Sequence, residues 1–87
     1  MKKIDPRVFG LSSRINIQEN NKNEIFFIID RKSRVVMKDG IRVFDQTQKV
    51  KKRRLNSRFF LKTSAPVCSK TRKYLNQREI DVLDIKE

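Results

Sequence analysis

The run Glu24-Ile-Phe-Phe-Ile-Ile-Asp30 constrains the fold of this chain more than any other stretch. Five consecutive β-branched or aromatic residues leave no polar face, so the segment predicts a central strand with neighbours on both sides. Glu19-Asn20-Asn21-Lys22-Asn23 precedes it. Asn tolerates left-handed backbone and bonds its own chain, which makes this a turn. Before the turn, Ser13 to Gln18 alternates, with Ile15 and Ile17 on one side and Arg14, Asn16 and Gln18 on the other. That is a strand with one wet face, and the two strands form a hairpin.

The stretch from Ser33 to Val50 admits two readings. Asp39-Gly40 suits the tight turn of a second hairpin. At helical spacing, Val36, Met37, Gly40, Ile41, Val43, Phe44, Thr47 and Val50 instead form one broad apolar face, with Asp30 placed to cap the start. The helix separates polar from apolar residues better and is preferred. Arg58 to Thr63 is the next strand, with Phe59 and Leu61 facing the helices and Arg58, Phe60 and Lys62 facing away. Ser64-Ala65-Pro66 leads into a second helix from about Val67 to Gln77, with Ser64 as its cap, and Glu79 to Ile85 reads as a last strand. The expected fold is a small α/β sandwich: an N-terminal β-hairpin followed by α-β-α-β, with about four strands and two helices. Residues 1–12 read as an arm anchored by Val8, Phe9 and Leu11, and residues 13–87 as one small domain.

A chain of 87 residues with 37% hydrophobic and 37% charged side chains supports one thin core. The single Cys and the absence of His remove disulfides, the usual zinc and haem ligand sets and the commonest general base. No metal or cofactor is expected. No apolar run is long enough to span a membrane, and the N-terminus lacks an apolar signal core, so the expected location is the cytoplasm.

Charge is segregated along the chain. Gln46 to Arg78 carries 11 of the 22 basic residues and none of the 10 acidic ones, which accounts for most of the net charge of +12. Such a field selects polyanions. The candidate nucleic-acid contacts are Lys49, Lys51, Lys52, Arg53, Arg54, Arg58, Lys62, Lys70, Arg72 and Lys73 on phosphates, with Phe60 between Arg58 and Lys62 to stack a base and Phe26 to join it. The plainer reading makes Lys49–Arg54 a solvated helix end that complements the helix dipole, and Phe60 a core residue.

Ser64, Ser69, Lys70 and Thr71, where a strand feeds a helix N-terminus, form a candidate anion site, although the glycines of a phosphate-binding loop are missing. Through Pro66-Val67-Cys68 and Arg72-Lys73-Tyr74-Leu75, the piece Phe59 to Ile85 resembles the strand–Cys-loop–helix–strand of glutaredoxin-like redox proteins. The first cysteine of their Cys-Pro-x-Cys loop would fall at Ala65 and their cis-proline has no counterpart, so the resemblance implies a shape and not redox activity. Cys68 near a helix N-terminus has the setting of a lowered thiol pKa. Asp39 and Asp45 diverge on the proposed helix, and Asp81 and Asp84 fall on opposite faces of the last strand, so no general acid–base pair is expected and the chain does not read as an enzyme. The leading expectation is a small basic nucleic-acid-binding protein, with RNA or a ribonucleoprotein favoured over DNA. One alternative is an interaction module or accessory subunit docking on an acidic protein, its thin core completed by that partner or by a homodimer. The other is a phosphate-ligand or thiol-redox domain centred on Ser64–Thr71.

Overall fold

A computed structural model describes residues 2–85. Met1 of the expected arm and the last two residues of the expected 13–87 domain lie outside them. The chain forms five strands and two helices: β1 (Lys2–Ile4), β2 (Asn16–Glu19), β3 (Glu24–Ile29), α1 (Met37–Lys51), β4 (Arg58–Thr63), α2 (Ser69–Asn76) and β5 (Ile80–Asp84). The strands lie in the order β1-β2-β3-β4-β5, so the sheet follows the chain. β1, β2 and β3 pair antiparallel, while β3-β4 and β4-β5 pair parallel across the two helices. The expected hairpin and α-β-α-β order are present, and β3 is the central strand of the sheet.

The fifth strand comes from the residues read as an arm. Lys2–Ile4 pairs with Ile17–Glu19, and Pro6–Phe9 then makes a 3-10 turn whose first N–H groups are masked by Pro6 and by the Asp5 carboxylate. Gly10 closes the turn at φ 74°, a conformation that favours glycine. Of the expected anchors, Phe9 and Leu11 are buried, but Val8 is exposed.

The Ser33–Val50 ambiguity resolves as a helix, starting later than the apolar pattern suggests. Val36 precedes the first turn and offers no capping oxygen. Asp39 serves instead, accepting from the Val36 N–H at 2.9 Å and from Arg31 Nη2 at 2.6 Å. Burial alone would push the Asp39 pKa up. The Arg31 and Val36 hydrogen bonds outweigh it and hold the carboxyl below its ordinary 3.8. Asp30, expected as the cap, accepts from Ser64 Oγ at 2.6 Å. The same bond removes Ser64 from capping α2, whose N-cap is Cys68. Residues 66–68 stay outside the helix because Val35 and Val67 form a parallel bridge, with Val35 N donating to Pro66 O and Cys68 N donating to Val35 O.

α1 and α2 pack side by side, joined by an edge-on contact of the Phe44 and Tyr74 rings at 6.2 Å. Gly40 lies at their closest approach. A Cβ there would sit 2.8 Å from Thr71 Cγ2, so Gly40 permits the contact and a methyl would overpack a stiff, buried threonine. The core lies between this helix layer and one face of the sheet: Ile17, Ile25, Phe27, Phe59, Leu61 and Ile80 below, with Val43, Val50, Leu75, Phe9 and Leu11 above. Alternation then puts Gln18, Phe26, Ile28, Arg58, Phe60, Lys62, Asp81 and Leu83 on the opposite face. No helix of the described residues lies on that face, and none is long and apolar enough to cross a membrane.

Candidate nucleic-acid interface

Both helices run antiparallel to the strands they connect, so α1 and α2 end at the same pole of the sheet, where β4 and β5 begin. The turn Asn20–Asn23 shares this pole, because Glu24 pairs with Arg58 and the Arg58 N–H donates to Asn23 O. Asn23 holds φ 60°, the left-handed backbone expected of this asparagine-rich turn. The chain therefore gathers Lys49, Lys51, Lys52 and Arg53 at the end of α1, Lys22 on the turn and Arg78 at the end of α2.

These cations differ in how they are held. Arg54 pairs with Glu19 at 2.7 Å and ties the α1–β4 connection to the end of β2. Lys49, Lys51, Lys52 and Arg53 are exposed and form no ion pair among the described residues. Arg78 is fixed without an acid: its guanidinium lies 3.6 Å from the Tyr74 ring centroid and 5.3 Å from that of Phe44, and donates to Tyr74 O at 3.0 Å. A groove of about 480 Å³ runs between the helix ends and the starts of β4 and β5, with Lys51, Arg58, Arg78, Ser57 and Asn76 along it. Glu79 and Asp81 also reach it, so its charge is mixed.

Lys70, Arg72 and Lys73 are exposed along α2, with Lys73 in its last turn. A helix rises 1.5 Å per residue, which sets Lys70 roughly 10 Å before the end of α2. Lys73, in the last turn of α2, lies toward the helix-end pole, and Lys70 lies toward the start of the helix.

Arg58, Phe60 and Lys62 take the outward positions expected of them. Phe60 stacks on Phe26 of the neighbouring strand, with ring centroids 4.9 Å apart and planes at 17°. Both rings are only 8% exposed, since adjacent side chains cover them. Arg58 is one such cover, its guanidinium 5.7 Å from the Phe60 centroid and 3.7 Å from the Asp81 carboxylate.

Of the residues expected to form an anion site, Ser64 is engaged with Asp30, and Thr71 is fully buried on the inner side of α2. The N–H groups of Lys70 and Thr71 point at the Cys68 sulfur and lower its pKa from the ordinary 9.0, with Arg34 adding a smaller pull.

Sequence reasoning left Lys22 and Arg78 out of the site. Arg78 closes the acid-free stretch and is legible as charge, while its place beside α1 depends on the parallel run of the helices. No protein-family model matches the chain, and comparison with curated proteins and with solved structures returned no match.

Proposed function

We propose that this chain is a non-catalytic, cytoplasmic nucleic-acid-binding protein, with RNA favoured over DNA. The observation that carries this reading is the set of exposed cations Lys49, Lys51, Lys52 and Arg53 where α1 ends, without an ion pair among the described residues and joined by Lys22 and Arg78. Lysines held in water without an acidic partner release counterions when they meet phosphates, and that release drives association. RNA is favoured because the fold leaves open a sheet face, a surface suited to unpaired strands, in place of a protruding helix that would enter a DNA groove.

The test is fluorescence anisotropy with a short RNA across a series of salt concentrations. Changing Lys49, Lys51, Lys52 and Arg53 together to Gln should lower the magnitude of the log–log salt slope by roughly 2 to 3. Arg54 is left intact because its loss would strand Glu19. An unchanged slope moves the footprint away from α1, and an absence of binding at low salt removes the reading altogether.

One observation favours a second reading, an accessory subunit docking on an acidic protein: Leu83 is 38% exposed on the uncovered sheet face, next to Lys62. Binding to polyglutamate in preference to RNA would support it.

A further inference from the structure

The uncovered face of the sheet has an organisation that charge alone does not require. Phe26 and Phe60 are adjacent on β3 and β4 and stack at 4.9 Å. The row through them continues to Gln18 and Asp81, and the next row holds Ile28, Lys62 and Leu83. An aromatic pair is thus bordered by Arg58 on one side and Lys62 on the other. We propose that this face is a stacking platform for single-stranded nucleic acid, with Arg58 as a displaceable cover over Phe60.

The cover is weakly held. Arg58 is 72% exposed, and its ion partner Asp81 is 53% exposed at 3.7 Å. An exposed pair of this kind shifts an equilibrium by no more than about fivefold. A base stacked on an aromatic ring contributes roughly five- to 100-fold, so exchanging the guanidinium for a base is favourable. The exchange also frees Arg58 to meet a phosphate, with Lys62 positioned for the next one. Duplexes gain nothing from the rings, because their bases are stacked inside and present only edges. A second copy of this chain is disfavoured as the occupant: each carries +12, and pairing through this face would bring Arg58 and Lys62 of both copies together.

This inference rests on the nucleic-acid reading, and its test separates the two. The chain has no Trp, so Phe60→Trp places a single fluorescent reporter in the platform. A short single-stranded RNA should quench it, while the blunt duplex of that RNA and inorganic polyphosphate should bind with salt dependence and leave it unquenched. Phe60→Leu, which keeps an apolar side chain but removes the ring, should weaken single-strand binding roughly five- to 100-fold and leave duplex binding and the salt slope unchanged. Circular dichroism checks that each variant folds, and either variant suffices if the other does not. Equal losses for both RNAs, or equal quenching by polyphosphate, would overturn the platform and leave the nucleic-acid reading standing. Tight polyglutamate binding without RNA-specific quenching would overturn it too and assign the face to an acidic protein. Failure of every RNA to bind at low salt would remove both proposals.

Discussion

On β3 and β4, Ile25, Phe27, Phe59 and Leu61 point into the helix layer, whereas Phe26, Ile28, Phe60 and Lys62 point away from it. The same two strands therefore build two aromatic pairs. Phe27 and Phe59 sit 6.5 Å apart with α1, α2 and the 3-10 turn closing over them, and Phe26 and Phe60 stack more tightly outside that cluster, with Arg58 over Phe60. Both pairs are largely removed from water, but by different means. A packed layer cannot move without unfolding, while an arginine side chain can swing away. Low exposure alone thus does not distinguish a core ring from a covered site; what covers the ring does.

The strongest way to break this comparison is to remove one ring from each face. Phe27→Ala should cost about 3–5 kcal/mol, the transfer term plus a cavity that the helix layer cannot fill. Phe60→Ala should cost only the transfer term, ~1.5–3 kcal/mol, because Arg58 and Lys62 can collapse onto the vacated space. Urea melts of the two variants provide the measurement. Equal losses would mean that the outer pair is packed as rigidly as the core, and Arg58 could then not act as a movable cover.

A smaller effect tests how the covering layer is secured. Asp39→Ala removes the acceptor of the Val36 N–H and the partner of Arg31, and should cost about 1–2 kcal/mol at neutral pH. The sign with pH follows from the lowered pKa. The folded state holds Asp39 ionised more strongly than the unfolded chain does, so its stabilisation is complete above the ordinary 3.8 and is lost as pH falls through the lower folded value. The gap between parent and Asp39→Ala should therefore narrow in strong acid. A gap independent of pH would show that the carboxylate charge contributes nothing to securing α1.

Much of this layer arrangement is legible in the chain, for reasons that particular residues explain. The apolar run at Ile25–Ile29 could only be a central strand, and alternation along Arg58–Thr63 by itself assigns Phe60 to the outer face. Helix boundaries are less legible. Asp30 and Ser64 each have the chemistry of a cap, but they bond one another across 34 residues, and no local pattern reveals that. Lys2–Ile4 is too short to show a period, and its strand character comes from the exposed edge of β2. Gly40 is readable as a close-approach site, yet only the Thr71 methyl, 2.8 Å from where an alanine Cβ would lie, shows that the approach leaves no room for a side chain. The candidate interface is legible as charge and not as shape, because the direction of two parallel helices decides which cations meet.

The smallest expected effect probes the cover itself. Asp81→Asn keeps the size of the side chain and removes the carboxylate paired with Arg58. Both groups are more than half exposed, so water and salt screen the attraction, and stability should change by no more than ~0.5 kcal/mol in urea melts. Single-strand affinity should rise by a few-fold at low salt, since an acid leaves the face and Arg58 is released toward phosphate. A stability loss above ~1 kcal/mol would identify the Arg58–Asp81 contact as a fixed structural clasp. The outer aromatic pair would then be closed as firmly as the inner one, and the two faces of the sheet would differ in composition but not in mobility.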